Sequence, residues 1–538
     1  MEPATQSQST APSRISATVR QALPAAVPLV AGLMLRLVLL RQFFEVSGDS
    51  LIYGGLAKNL LLHGRYALIA NGEIYPTLIR LPGYPLFLAL CFKVFGMENY
   101  AAAAWVQIPL ELLGCLLLAA CVRRIAPPAM ARGTGLATLW LAALCPFTAV
   151  YAAEPLTESL TLFMLALALW ALARTHIRPG WSVALLFTFA VTSAALLRPD
   201  GALVGIALAP AFLLVLMRSG FNRPARRKDN LLIFTGRERA WDGSLRRVQP
   251  PHKAGRISQP SPLEESALDG SVPDSSTHRH LSPIRAALVC TLLALAPFAV
   301  WTARNWSVFH VFQPLAPRYA TDPGEDPHLG WENWVKTWCL DFVSTYDIYW
   351  NVPGGTLDLS KLPSRAFDSP AQYAETAAIA DDYNATNVLT PEIDQRFARL
   401  AQERTEAHPV RSLLWLPLGR LADMILRPRV ENLPIDLDWW VYAHHHVETR
   451  FSWAYAGLNA LYLLLALAGF CLRPRFWPWM LAYLVLRSAL LLTIEAPETR
   501  YTLEFFPIVF ALGGIGLWAG LRWLGKAAAI AGKLLWGG

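Results

Sequence analysis

Ten stretches of about 20 mainly apolar residues follow one another along the chain, close to the length that a helix needs to cross a bilayer. They lie at 22–44, 100–122, 134–151, 155–173, 181–197, 202–217, 284–303, 453–472, 476–494 and 504–524. Only 16% of the 538 residues are charged, against about 25% in an average soluble domain, so the chain lacks the polar surface of a soluble protein. The sequence therefore predicts an all-α polytopic membrane protein with about 10 transmembrane helices.

Two further apolar stretches, 84–95 and 412–426, are shorter and contain or adjoin charged residues. Lengths of about 10–14 residues are typical of interfacial or buried half-helices rather than complete spans. We therefore expect interfacial helices at both places in addition to the ten spans.

The charge pattern orients these spans, because short cytoplasmic loops are enriched in Lys and Arg. With the N-terminal tail, residues 1–21, in the cytoplasm, the basic loop residues share one side: Arg123, Arg124, Arg132, Arg174, Arg178, Arg473, Arg475, Arg522, Lys526 and Lys533. Acidic residues occupy the opposite side: Asp49, Glu73, Glu154, Asp200, Glu495 and Glu498. Both termini are therefore predicted to be cytoplasmic, and 45–99 is predicted to be the first outside loop of an N-terminal membrane module, residues 22–217.

Two long segments interrupt the membrane pattern. Residues 218–283 hold twelve Lys/Arg and seven Asp/Glu among many Pro, Ser and Gly, which predicts a disordered basic cytoplasmic insert. After a membrane helix at 284–303, the acidic segment 304–452 is long enough for a small outside domain, with a surface helix predicted at 391–408. Residues 453–538 then hold the C-terminal membrane helices and a short tail.

The clearest chemical signal lies at the outer end of the first span, in the run GDSLIYGGLAKNLLLHGRYAL at 48–68. Asp49 stands where the helix gives way to the loop, and the residues after it have apolar positions at helical spacing, as in a helix lying in the interface. The run RLPGYPLFLALCFKVFG at 80–96 then places Arg80 ahead of an apolar half-helix. A carboxylate and a cation are thus expected together at the membrane surface, where a lipid phosphate and a polar acceptor can reach them.

These runs resemble the polytopic C-type glycosyltransferases, which include the dolichyl-phosphate-mannose protein mannosyltransferases and the lipid A aminoarabinose transferases. The order GD-x-x-x-Y-x-x-x-A-x-x-L, GRY and R-x-PGYPLFLAL within 48–96 carries most of the resemblance. Shorter similar runs are AEPLTESL at 153–160, LLRPDG at 196–201, ARNW at 303–306 and ETRYTLEFFP at 498–507. The insert and most of 307–450 have no counterpart in this family.

The resemblance implies an inverting transfer of a sugar, a hexose or a pentose, from a polyprenyl-phosphate donor to an acceptor on the outer face of the membrane. Asp49 is then the base that takes the proton of the acceptor hydroxyl. The family often has a second acidic residue next to it, and here that place is Ser50. Glu154 is expected to orient the acceptor or to hold a divalent metal ion together with Asp49. Glu158 follows one helical turn after Glu154 and shares its face.

Cations are needed beside the donor phosphate, whose charge grows as the sugar departs. Arg80 and Arg500 are the first candidates, because a guanidinium group can hold two phosphate oxygens at once. The remaining candidates for substrate binding are Lys58, Arg198, Arg304, Tyr53, Tyr84 and Tyr501. For these residues, ordinary placement at the membrane interface is the alternative interpretation.

Two other functions are compatible with the sequence: a transporter or flippase of lipid-linked sugars, and a non-catalytic membrane subunit of a glycan assembly system. The charged candidate residues lie at the outer ends of helices and in the outside loops rather than near the bilayer midplane, which favours chemistry at the membrane surface over transport. The expected partners are a polyprenyl-phosphate sugar, membrane lipid, and a glycan, lipid or protein acceptor, with no nucleic acid. The three histidines at 444–446 are interpreted as an exposed loop, because adjacent histidines do not converge on one ion.

Overall fold

The computed structural model describes residues 14–46, 48–219 and 283–536, and within these ranges the chain forms eighteen α-helices and one β-hairpin. The helices are α1 (Arg14–Phe43), α2 (Asp49–His63), α3 (Gly83–Phe95), α4 (Tyr100–Ile125), α5 (Ala131–Ala143), α6 (Pro146–Ala149), α7 (Glu158–Ile177), α8 (Trp181–Leu197), α9 (Ala202–Ser219), α10 (Pro283–Phe309), α11 (Leu329–Lys336), α12 (Phe342–Asp347), α13 (Pro370–Asn384), α14 (Pro391–Ala407), α15 (Leu416–Leu426), α16 (Tyr442–Cys471), α17 (Trp477–Leu491) and α18 (Phe506–Trp536). The strands β1 (Ala67–Ala70) and β2 (Glu73–Pro76) pair antiparallel. The predicted insert lies almost entirely outside the described residues.

Seven helical segments among the described residues are long and apolar enough to cross a membrane. They are Leu23–Phe43, Tyr100–Ile125, Glu158–Ile177, Pro199–Arg218, Pro283–Phe309, Tyr442–Cys471 and Thr499–Ala531. The bent pair α5 and α6 is an eighth candidate, and α8 and α17 are apolar but shorter. Each predicted span therefore coincides with helix, although the count reaches ten only with the bent pair and both short helices. The chain is an all-α polytopic membrane protein.

The predicted continuous span at 134–151 is wrong in one respect, because its helix breaks between α5 and α6 with a bend of 49°. Pro146 begins α6, and proline disfavours helical geometry in the residue before it. Cys145 accordingly takes an extended conformation with φ −66° and ψ 112°.

The outward surfaces of several helices are apolar, as lipid contact requires. Exposed large side chains include Val30 and Met34 on α1, Leu292 on α10, and Leu461 and Leu464 on α16. Contiguous exposed apolar surface of this extent is unusual on a soluble protein.

The helix pair α16 and α18 is packed so closely that small residues are required at the contact. A Cβ atom on Gly469 would lie 1.8 Å from the carbonyl oxygen of Leu512, and one on Gly516 would lie 2.2 Å from that of Leu465. Both distances are far inside van der Waals contact, so any side chain would force the helices apart. Small residues serve the same purpose between many membrane helices, where lipid exposure provides no hydrophobic driving force.

A second, smaller core lies between α11 and α14, in the part of the chain that has no family resemblance. Trp331, Trp334 and Trp338 are fully buried there; the first two pack against Phe397, and Trp338 packs against Trp334. The carboxylate of Asp394 accepts hydrogen bonds from the backbone N–H groups of Gly330 (2.9 Å) and Trp331 (2.8 Å), which satisfies the free donors at the start of α11. The helix expected at 391–408 is α14, and those expected at 84–95 and 412–426 are α3 and, after a π-helical turn, α15.

Candidate functional site

Asp49 is the first residue of α2 and follows a turn that only glycine adopts readily. Gly48 has φ 49° and ψ −119°, a conformation in which a Cβ atom would be strained. Helix α1 ends at Phe43, and α2 begins with the carboxylate of Asp49. This turn directs Asp49 toward the cavity described below rather than along the helix surface.

Two arginines from distant parts of the chain hold the Asp49 carboxylate. Arg80 Nη2 donates to Asp49 Oδ1 at 2.7 Å, and Arg500 Nη1 donates to Asp49 Oδ2 at 3.2 Å. The Tyr66 hydroxyl donates to the carbonyl oxygen of Arg80 at 3.1 Å, which fixes the loop before α3. Arg500 lies in the 3-10 helix Thr499–Phe505, which leads into α18, and it also pairs with Glu498.

The two guanidinium groups keep Asp49 ionised. Burial alone would raise the pKa of Asp49, but the charges of Arg500 and Arg80 outweigh it and hold that pKa below its ordinary value. Asp49 is therefore a carboxylate at neutral pH whose basicity is limited for as long as both arginines are paired with it.

A cavity of about 350 Å³ opens beside Asp49. Its lining combines carboxylates, one guanidinium and aromatic side chains: Gly48, Asp49, Tyr151, Glu154, Leu156, Phe342, Trp350, Glu431, Asn432, Glu498, Thr499 and Arg500. A mixed wall of this kind, with a few convergent polar groups among apolar ones, is typical of small-molecule sites.

Glu154 lies on the same cavity and is held from two sides. Its carbonyl oxygen accepts from Gln107 Nε2 at 2.9 Å, and its Oε1 accepts from Asn432 Nδ2 at 2.5 Å. Burial and the charge of Glu158 raise the pKa of Glu154 to about 8, although Arg500 and Asn432 act in the opposite direction. Glu154 is therefore protonated at neutral pH, in contrast to Asp49.

A buried ionic network, which we call the floor network, adjoins the cavity. Arg198 Nη1 donates to Glu158 Oε1 at 2.8 Å, and its Nε lies 3.2 Å from Asp200 and 3.5 Å from Glu504. Arg487 closes the network with contacts of 3.0 Å to Asp200 and 2.5 Å to Glu504. Glu158 and Arg198 are thus paired with each other in this network rather than lining the cavity.

The three predicted tyrosines contact the groups of the site without being among the residues that line the cavity. The Arg80 guanidinium lies over the Tyr53 ring at 6.0 Å, and Tyr501 is approached by Arg198 at 6.0 Å and by Arg500 at 5.6 Å. Tyr84 is fully buried and donates to Gln107 Oε1 at 2.7 Å, so it fixes the amide that holds Glu154.

Lys58 and Arg304 are not brought to the cavity. Lys58 pairs with Glu98 at 2.9 Å on the exposed surface, and its nine-residue separation from Asp49 corresponds to about 13 Å along α2. Arg304 donates to the carbonyl oxygens of Thr77 (2.9 Å) and Tyr66 (2.7 Å), so it ties α10 to the hairpin segment.

Several lining residues were not among the sequence candidates. Glu431, Asn432, Phe342 and Trp350 come from the segment 304–452, which has no family resemblance to indicate them. Glu498 belongs to the same ETRY run as Arg500, so its proximity to that arginine was the available signal.

The divalent ion expected between Asp49 and Glu154 stays a prediction. Both oxygens of Asp49 already accept from guanidinium groups, and Glu154 is bonded to Asn432. Among the described residues, the cavity carboxylates form no group of three whose ligand atoms approach one another closely enough to hold one ion.

Comparisons with known proteins agree with the family resemblance in the membrane part. The family model described as dolichyl-phosphate-mannose-protein mannosyltransferase matches residues 80–226. Among solved structures, ArnT from Cupriavidus metallidurans in the apo state is similar at 15% identity and TM-score 0.34, covering 93% of this chain and 78% of that chain. The same protein bound to undecaprenyl phosphate has the same identity and TM-score, with coverage of 91% and 77%.

No curated protein is significantly similar to the chain. The family match begins at Arg80, which contacts Asp49, and it includes Glu154 on the cavity and Arg198 in the floor network. The matched segment thus contributes directly to the site described above. Over residues 80–226 the chain is therefore similar to the dolichyl-phosphate-mannose-protein mannosyltransferases.

Proposed function

We propose that the protein transfers a sugar from a polyprenyl-phosphate donor to an acceptor at the outer face of the membrane, with inversion and with Asp49 as the general base. The observation that carries this proposal is the Asp49 carboxylate held between Arg80 and Arg500 on the wall of the cavity. The family match supports a lipid-phosphate-linked sugar as donor. The separation of basic and acidic loops in the sequence supports the outer face.

The two arginines are suited to exchange one anion for another. A donor phosphate entering the cavity offers oxygens to Arg80 and Arg500 in place of those of Asp49. This exchange frees Asp49 from the two charges that lower its basicity, so the base is activated only when a donor is present.

The reaction is then a single displacement at the anomeric carbon. The acceptor oxygen forms a bond to that carbon from the face opposite the phosphate, and its proton passes to Asp49. The carbon–oxygen bond to phosphate breaks, and its electron pair remains on the phosphate, which gains one negative charge. Arg80 and Arg500 stabilise that charge as it develops. No step of this sequence passes through a metal ion.

Substituting Arg80 or Arg500 by methionine is expected to weaken binding of polyprenyl phosphate by roughly 10- to 100-fold, since a hydrogen bond to a charged group contributes about 1.5–3 kcal/mol. Titration of the detergent-solubilised protein with polyprenyl phosphate measures this. Lys58→Met is the matched control, because it removes a cation that pairs with Glu98 outside the cavity. Unchanged affinity in both arginine variants, or an equal loss in the control, would contradict the proposed phosphate site.

The pH dependence distinguishes the roles of the two carboxyl groups. Because burial and the charge of Glu158 raise the pKa of Glu154 to about 8, its carboxyl group is protonated at neutral pH and loses that proton as the pH rises through about 8. We therefore expect kcat/KM to fall as the pH rises through about 8 in the wild type. Glu154→Gln keeps a neutral donor and should lack this fall. A wild-type rate that instead rises through pH 8 would assign the base to Glu154 and not to Asp49.

A further inference from the structure

A second polar cluster lies outside the cavity, where the loop after α15 meets the beginning of α16. The Nδ1 atom of His445 lies 3.5 Å from Asp436 Oδ2 and 3.3 Å from Glu448 Oε2. Ligands at about 2.0–2.2 Å from a tetrahedral Zn²⁺ stand roughly 3.3–3.6 Å from one another. The two spacings around His445 therefore match those of ligands that share one ion, and all three ligand atoms lie within 4.8 Å of one another.

The other ring nitrogen of His445 has a partner of its own. Its Nε2 lies 3.2 Å from Asp438 Oδ1. Histidines that bind a metal through one nitrogen commonly donate the other N–H to a carboxylate, which fixes the tautomer and the ring orientation. With Nε2 facing Asp438, Nδ1 is the ring nitrogen that faces Asp436 and Glu448.

Three carboxylates surround one imidazole, and the single N–H at Nδ1 can satisfy only one of the two carboxylates that face it. Glu448 Oε2 is enclosed by the protein and forms no hydrogen bond. A divalent ion between Nδ1, Asp436 and Glu448 would satisfy all three atoms and offset the negative charge.

The backbone separates His445 from its two histidine neighbours. His445 has φ −126° and ψ 43°, which interrupts the helical geometry of α16. Its side chain faces the loop, whereas His444 and His446 are exposed. The Thr449 hydroxyl donates to the carbonyl oxygen of His445 at 2.8 Å and also bonds that of Trp439, so helix and loop are fixed together here. The exposed loop predicted for the three histidines is thus the first turn of α16.

We propose that Asp436, His445 and Glu448 bind one divalent transition-metal ion, best matched by Zn²⁺, with Asp438 orienting the imidazole. The ion would tie the loop between α15 and α16 to the helix. That loop carries Glu431 and Asn432 to the cavity, so the ion braces one wall of the candidate active site. Binding of the ion does not depend on the proposed function; only the description of the braced wall as part of an active site rests on that function.

The test is a count of bound metal in the full chain, purified in detergent through an affinity tag without histidine and stripped with a chelator. After titration with Zn²⁺, mass spectrometry of the eluted metal should find one ion per chain. Glu448→Gln and Asp436→Asn each remove one ligand with little change of shape and should lower the affinity at least tenfold. Asp438→Asn should lower it by roughly 10- to 100-fold, as outer partners of metal ligands do.

His444→Ala and His446→Ala are the matched controls, and both should bind Zn²⁺ as the wild type does. The absence of one tightly bound ion in the wild type would overturn the proposal, as would an equal loss in the control histidines. Loss of the ion in Asp49→Asn with retention in Glu448→Gln would place it in the cavity and would equally contradict the proposal. Because the readout is bound metal, a failure of the proposed transferase activity leaves this result intact.

Discussion

Asp49→Asn is expected to lower the rate of sugar transfer by about 10²- to 10⁴-fold, the range that a positioned general base contributes. The substitution keeps the size of the side chain and one acceptor oxygen, which can accept from Arg80 or from Arg500 but not from both, so the backbone structure should be retained. The lost property is the capacity to take a proton. Transfer from a radiolabelled polyprenyl-phosphate sugar, measured in detergent with equal amounts of each variant, provides the rate.

The control for this loss is Glu98→Gln, which neutralises a carboxylate of the surface pair with Lys58. It should transfer sugar at close to the wild-type rate. Binding of polyprenyl phosphate separates a defect in chemistry from one in binding, because Asp49→Asn should still bind it. A variant that binds polyprenyl phosphate and transfers sugar at the wild-type rate would remove Asp49 as the base.

The second large effect is expected for stability, at Arg487 in the floor network. Its side chain is 1% exposed and contacts Asp200, Glu504 and the carbonyl oxygen of Tyr501. In Arg487→Met, the carboxylates of Asp200 and Glu504 keep only one cation of the floor network, Arg198. Removing one partner from a buried ionic group costs about 3–5 kcal/mol, because the other charges remain in a poorly solvating environment. Thermal unfolding in detergent should show a clearly lower midpoint.

Two further variants make this prediction specific. Arg522→Met removes an exposed arginine from α18 and should leave the midpoint nearly unchanged. Arg487→Met combined with Glu504→Gln removes a cation and an anion together, so it should be more stable than Arg487→Met alone. Equal midpoints for Arg487→Met and the wild type would show that the network does not stabilise the packing of α17 against the 3-10 helix Thr499–Phe505.

Much of the membrane architecture could be predicted because it depends on local composition. A run of about 20 apolar residues is sufficient to indicate a span, and α4 and α7 end within a few residues of the expected positions. The break at Pro146 was also readable in principle, since proline after a helix residue disfavours its continuation. The β-hairpin was not predicted, although Asn71 and Gly72 between two short apolar runs are a recognised hairpin signal.

The candidate site was only partly predictable because it is assembled from distant segments. Asp49, Arg80 and Arg500 were expected on one surface, but their pairing depends on how the 3-10 helix Thr499–Phe505 and the loop before α3 are placed around the start of α2, which no local pattern encodes. Asn432 reaches Glu154 across 278 positions of sequence. Closeness in sequence is also an unreliable guide to the site: Lys58 is only nine residues from Asp49, yet it pairs with Glu98 outside the cavity.

The most direct test of the central claim is the chemical outcome of one reaction in detergent, where no bilayer separates two compartments. The purified protein is incubated with a polyprenyl-phosphate sugar and an acceptor fraction, and the products are identified by mass spectrometry and by their anomeric configuration. The account predicts free polyprenyl phosphate and a glycosylated acceptor of inverted configuration, both formed about 10²- to 10⁴-fold more slowly with Asp49→Asn. Intact donor and unmodified acceptor with the wild-type protein, across a panel of donors that it binds, would contradict it.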